Sequence, residues 1–219
     1  MKKSFYKKRS LVLVFLLFVA ILLYYTVEVL IARANTPKIV NDYLESEQVE
    51  ITTKDLTEKQ LDILLRIEDP NFYNHHGIDF KTPGAGWTTI TQALAKKFYF
   101  NNFEQGLMKI KQTLCARLAL DPLVSKETQL TLFLNIMYFG NGVYGFQDAA
   151  NYYFNKDVRE LEDEEYISLI ASLISPNELN IKEHPQENSQ RVQRIKKVLS
   201  GVYAPKGLFD ITYEGADNF

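Results

Sequence analysis

A chain of 219 residues has the length for one compact domain beside a membrane segment, and its 46% hydrophobic content with few Gly and Pro excludes extensive disorder. The formal charge is −2, but Lys2, Lys3, Lys7, Lys8 and Arg9 all precede the first apolar run, so the remainder is acidic and nucleic acid is excluded as a partner. A lone cysteine, Cys115, excludes an internal disulfide, and its helical apolar surroundings mark it as a buried, inert thiol.

Leu11 to Ala32 reads LVLVFLLFVAILLYYTVEVLIA, with Glu28 as its only charge, and is long enough for a spanning helix. By the positive-inside rule the basic residues 1–10 stay in the cytoplasm and everything after about Asn35 lies outside. Ala32 and Ala34 also fit a signal-peptidase site, but the apolar part of a signal peptide is shorter than this run, so an anchor is expected at 11–32. Residues 33–53 are polar and mixed, with extended character from Val49 to Thr52, and read as a linker.

A domain is expected over 54–203, followed by a C-terminal tail at 204–219. Thr57 and Gln60 form a capping box ahead of Leu61, Leu64 and Leu65, and Asp69-Pro70 ends that helix. Glu68 therefore lies at a helix C-terminus, where the macrodipole disfavours an anion and raises its pKa. A glycine-rich bend from Pro83 to Gly86 leads into a helix over Thr88 to Phe98, with Ile90, Leu94 and Phe98 on one face. Lys109 to Leu120 repeats that pattern until Pro122. Ser125 caps an apolar helix to Phe139, which the glycines at 140, 142 and 145 terminate. Further helices are readable at Phe146 to Phe154, Asp163 to Ile174 and Gln186 to Tyr203. With no run of strands, the fold class is all-α.

Residues 68–79 read EDPNFYNHHGID, which resembles the first motif of the family 51 glycosyltransferases, the enzymes that polymerise peptidoglycan. The resemblance implies Glu68 as catalytic base, with Asp69, Phe72 and His75 as substrate-binding residues that shape the site together with Gly77 and Asp79. Gly86, Thr88, Thr89, Ile90, Thr91, Gln92 and Lys96 resemble the second motif; Trp87 and Ala93 depart from it. By that likeness Thr89, Gln92, Lys96 and Lys109 bind substrate, Lys96 holding the donor's diphosphate. The third motif, Arg-Lys-x-x-Glu in the family, reads Met108, Lys109, Ile110, Lys111, Gln112, so Gln112 occupies the second glutamate position and Glu104 an arginine position. Ser125 to Lys156 matches the family's later stretch, with Phe133 in place of a tyrosine, and the arginines 191 and 194 resemble its closing helices. Between Asp79 and Gly86 the chain is shorter than is usual in the family.

The resemblance implies a lysozyme-like helical domain behind one N-terminal transmembrane helix, on the outer face of the bacterial cytoplasmic membrane. Its substrates would be lipid II and the nascent glycan chain, and its partners the membrane and other cell-wall synthases. No serine-x-x-lysine pattern of a transpeptidase follows residue 203, so a monofunctional polymerase is expected. The alternatives are a non-catalytic member that binds lipid II, glycan or a partner synthase, motivated by positions 104, 108 and 112, and a glycan hydrolase with one key glutamate. No organic cofactor is implied. A divalent cation, Mg or Mn, would be needed only to bridge Glu104 to a diphosphate, and the adjacent His75 and His76 have no accompanying ligand cluster, so no metal site is expected.

Overall fold

The computed structural model describes the backbone of residues 2–104 and 106–219, and the side chains of residues 10–104 and 106–219. The side chains of the basic cluster at 2–9 thus lie outside the described residues. Among the described residues the architecture is all-α, with one isolated antiparallel bridge between Tyr138 and Tyr144.

Helix α1 runs unbroken from Lys2 to Leu44 and contains Pro37. Residues 33–44, expected as the start of a linker, are therefore helical. Pro37 lacks the N–H that would bond the carbonyl of Arg33. The helix continues because Ala32, Thr36 and Val40 form a buried stripe at a spacing of four. Thr36 Oγ1 bonds the Ala32 carbonyl at 2.7 Å and shares a second hydrogen bond of 2.7 Å with the Tyr99 hydroxyl.

The domain helices are α2 (Glu58–Glu68), α3 (Ile90–Tyr99), α4 (Leu107–Cys115), α5 (Lys126–Ile136), α6 (Phe146–Phe154), α7 (Asp163–Leu173) and α8 (Pro185–Leu199). The capping box of Thr57 and Gln60 opens α2, and Thr89 with Gln92 forms another at the start of α3. The last turn of the helix expected at 109–120 is a π-helical segment over Ala116–Leu120, closed by Asp121 N–H donating to the Ala116 carbonyl at 3.0 Å. Leu64, Leu94, Leu130, Leu134 and Ile170 are fully buried where α2, α3, α5 and α7 meet, each contributing about 1.5–3 kcal/mol of apolar burial.

Two ends differ from expectation. Helix α5 stops at Ile136 rather than Phe139, because Gly145 N–H bonds the Met137 carbonyl at 2.8 Å and Phe139 N–H bonds the Val143 carbonyl at 2.9 Å. The segment 204–219, expected as a tail, is packed into the domain with Tyr213 and Ala216 buried. Gly84 N–H donates to Gly207 at 2.9 Å and Gly86 N–H to Leu208 at 2.8 Å, while the Trp87 ring stacks on Phe209 at 5.3 Å. Gly86, at φ 68°, leaves no room for a Cβ, which would stand 2.9 Å from Ile211 Cγ2.

The apolar part of α1 is long and hydrophobic enough to cross a membrane, about 1.5 Å per residue over Leu11 to Ala32. Its single charge, Glu28, forms an ion pair with Lys111 of α4, the two side chains being 24% and 21% exposed. Nearby, the Tyr25 hydroxyl donates to the Leu107 carbonyl at 3.3 Å and Arg33 to the Leu118 carbonyl at 2.8 Å. Lys111→Met, which strands Glu28 beside an apolar helix, is expected to cost about 1–3 kcal/mol. Thermal unfolding in detergent micelles checks this, and adding Glu28→Leu to Lys111→Met should recover most of the loss.

Candidate active site

The site begins at the end of α2, where Pro70 follows Asp69 and the chain turns away. Asp69 is fully buried, with His75 Nε2 2.9 Å from both carboxylate oxygens and Ile90 N–H donating to Oδ2 at 3.0 Å. One carboxylate thereby ties the turn after α2 to the positive N-terminus of α3. Thr89 Oγ1 donates to the Gly77 carbonyl at 2.8 Å. Gly77, at φ 81°, lies so close to the π-helical segment that a Cβ would stand 2.8 Å from the Ala116 carbonyl oxygen. Asp79 ends the turn. Burial opposes its charge, but hydrogen bonds from the Thr82 hydroxyl and from the Lys81 and Thr82 amides outweigh that and hold its pKa at about 2.

This scaffold supports one wall of a cleft of about 1050 Å³. Glu68 lines it, together with Thr88 and Thr89 ahead of α3, Lys96 and Lys97 at the end of α3, and Lys109 and Gln112 on α4. Arg191 of α8 and Ile211 of the C-terminal segment complete the wall near Glu68. A smaller cavity of about 470 Å³ shares Lys97 and Tyr144 with it and is lined also by Glu47, Glu50 and Asp148.

Glu68 is half-buried, its carboxyl crowded by protein atoms. That desolvation pushes its pKa up to about 7; Arg191 draws it down and Asp69 adds to the rise. Burial, rather than the helix end expected from sequence, is thus the leading cause. Lys109 donates to Thr88 Oγ1 at 2.9 Å, and its pKa is lowered to about 8 by burial and by the neighbouring Lys96. Burial and Lys96 likewise lower that of Lys97. Lys96 and Lys97 rest on the rings of Phe103 and Tyr144, 4.9 and 4.7 Å from the centroids. Three ammonium groups in one cleft with a carboxylate make a receptor for a multiply charged anion.

Residues 36–200 match the family model described as Transglycosylase. The chain belongs to the transglycosylase family. It is similar to penicillin-binding protein 1F of Bacillus subtilis, 33% identical over 178 residues, which are 75% of this chain and 25% of that protein. Penicillin-binding protein 1A of Rickettsia felis is 30% identical over 188 residues, 78% of this chain and 23% of that protein. Penicillin-binding protein 1A of Pseudomonas aeruginosa is 28% identical over 167 residues, 70% of this chain and 20% of that protein. The chain thus spans about a quarter of the length of these relatives.

Of the residues that the transglycosylase likeness singled out, Glu68, Thr89, Lys96, Lys109 and Gln112 meet at the cleft. Asp69, Phe72, His75 and Gln92, expected as substrate contacts, are buried behind its wall instead. Asp69 and His75 Nε2 are committed to each other, and Gln92 to the Thr89 amide at 3.1 Å and the Thr113 hydroxyl at 3.0 Å, while His75 Nδ1 is buried without a partner among the described residues. Phe72 lies beneath Lys126, whose ammonium stands 4.6 Å from the ring centroid. Gln112 donates from Nε2 to the Gln92 carbonyl at 2.6 Å, which leaves Oε1 without a partner among the described residues. Glu104 is exposed and outside the residues lining the cleft; its backbone N–H points to Met108 Sδ at 3.2 Å. Among the described residues no group of three or more His, Cys, Asp or Glu side chains is placed to hold a metal ion.

Lys97, Arg191 and Ile211 were not expected at the cleft. Arg191 carried a signal: with Asn188, Val192, Ile195 and Val198 it occupies the buried stripe of α8, where a charge is out of place. Ile211 carried none, because its position depends on the chain folding back.

Proposed function

We propose that this chain is a peptidoglycan glycosyltransferase that polymerises lipid II, with Glu68 as general base. The supporting observation is the placement of the Glu68 carboxylate in one cleft with Lys96 and Lys109. Glu68 takes the proton from the 4-hydroxyl of the acceptor sugar as that oxygen attacks the anomeric carbon of the donor. The bond from that carbon to the diphosphate breaks, and its electron pair leaves on the diphosphate, whose charge the lysines receive. A diphosphate departs without a protonated acid, so an amide at 112 is compatible with turnover. Thr89 borders the acceptor side, while Asp69, His75, Phe72 and Gln92 hold the wall.

The domain works on the outer face of the bacterial cytoplasmic membrane, with residues 1–10 in the cytoplasm. Leu107, Ile110 and Leu118 are exposed on the side of α4 and the π-helical segment that adjoins α1, a surface suited to lie against the bilayer from which a lipid-linked substrate enters. Nascent glycan occupies the same cleft, and other cell-wall synthases are its partners.

Purified full-length protein incubated with labelled lipid II, with and without Mg²⁺, tests the reading. A ladder of glycan products on a gel is the expected result. Lipid II binding without product would move the chain to the non-catalytic reading, and shortening of preformed glycan to the hydrolytic one.

The two titrations also fix a pH profile. Glu68 must be ionised and Lys109 protonated, so the rate should fall below about pH 7 and again above about pH 8, leaving a narrow optimum between. A flat initial-rate profile from pH 5.5 to 9.5 would contradict both roles.

A further inference from the structure

The geometry points to Arg191 as a positioning residue for Glu68, with the segment 204–219 as the clamp that holds its guanidinium at the cleft wall. This rests on the reading of Glu68 as base.

Arg191 is 5% exposed, yet lines the same cleft as Glu68. Its Nη1 donates to the Ile211 carbonyl at 2.8 Å, and its guanidinium carbon stands 5.5 Å from the centroid of the Tyr213 ring. The Tyr213 hydroxyl reaches back toward the carbonyl of Ile67, the residue before Glu68, at 3.5 Å. The clamp thus touches both the arginine and the helix end that carries the carboxylate. Nε of Arg191 is buried without a hydrogen-bond partner among the described residues, so its donors are not exhausted by a structural role. Arg194, one turn further along α8, is paired with Asp217 at 2.6 Å, which leaves Arg191 as the arginine of α8 that shares the cleft with Glu68.

The groups facing Glu68 are Arg191 from α8, Asp69 from its own turn and Tyr213 from the clamp. Burial and Asp69 favour the protonated acid, and Arg191 opposes them. Its service is to keep a desolvated carboxylate available as a base at neutral pH. Lysines across the cleft would instead receive the diphosphate, so the two kinds of cation have separate tasks.

The test follows the Glu68 carboxyl by ¹³C NMR across pH in full-length protein labelled at glutamate, beside the pH–rate profile. In Arg191→Met, the Glu68 midpoint and the acid limb should both move up by about one pH unit, lowering the rate near pH 7 about five-fold, with the deficit relative to wild type closing at higher pH. Arg191→Lys should return most of the shift. An unmoved midpoint with a lower plateau at every pH would make Arg191 merely structural and overturn the inference. Should Arg191→Met fail to fold by circular dichroism, Tyr213→Leu takes its place: a raised midpoint supports the clamp and an unchanged one overturns it. The NMR midpoint is read without turnover, so a wild type that makes no polymer defeats the polymerase reading separately.

Discussion

Glu68→Gln is expected to lower glycan polymerisation about a hundred to ten thousand-fold while leaving the fold and lipid II binding intact. The amide keeps the shape of the side chain but cannot accept the acceptor's proton. Because the carboxyl is crowded by protein, replacing it removes a desolvated charge and should not destabilise the domain. Its residual rate should lose the acid limb, since the group that titrates near 7 is gone. Initial rates across pH, with a binding isotherm for lipid II on the same preparation, check both halves. An unimpaired variant would move the base elsewhere.

Asp69→Ala should do comparable damage by a different route. The Asp69 carboxylate is fully buried and satisfies His75 Nε2 and the Ile90 amide at once. Its removal leaves both without a partner in a dry site and unties α2 from α3, which is expected to cost about 3–5 kcal/mol. Asp69→Asn, which can still accept from the Ile90 amide, should lose clearly less. Thermal unfolding followed by circular dichroism measures the difference. Equal melting temperatures for Asp69→Ala and wild type would mean that the turn is held by its apolar contacts, Phe72 foremost.

What could be read from the sequence was mostly local. The box Thr57–Gln60 fixes a helix start within four residues, so α2 begins where side-chain chemistry requires. Glu68, Lys96 and Lys109 could be singled out because their motifs have fixed spacings. What escaped depends on distant partners. Helix α1 outruns its apolar segment because Tyr99 meets Thr36, and α5 stops early because Gly145 reaches back to Met137. The helix dipole predicts the raised pKa of Glu68, but its main cause is burial, which the local sequence does not show. Glu104 looked obstructive on a linear count, since nothing in the count could show that it stays outside the lining.

The departures from the family pattern acquire a physical meaning in this cleft. Gln112, at the position where the family pattern has a glutamate, brings no negative charge to the cleft that holds Lys96 and Lys109, and its Oε1 is buried without a hydrogen-bond partner among the described residues. Lys97 adds a cation at the same wall. The cleft therefore has cationic groups to hold a diphosphate despite Met108 and Glu104 standing where the family has arginines.

The most direct measurement is a structure of the full-length protein bound to a non-reacting lipid II analogue. The acceptor 4-hydroxyl should lie about 3 Å from the Glu68 carboxylate, with the donor diphosphate against Lys96 and Lys109. A diphosphate seated away from both lysines, or a sugar hydroxyl out of reach of Glu68, would contradict the assignment of this cleft to glycan polymerisation.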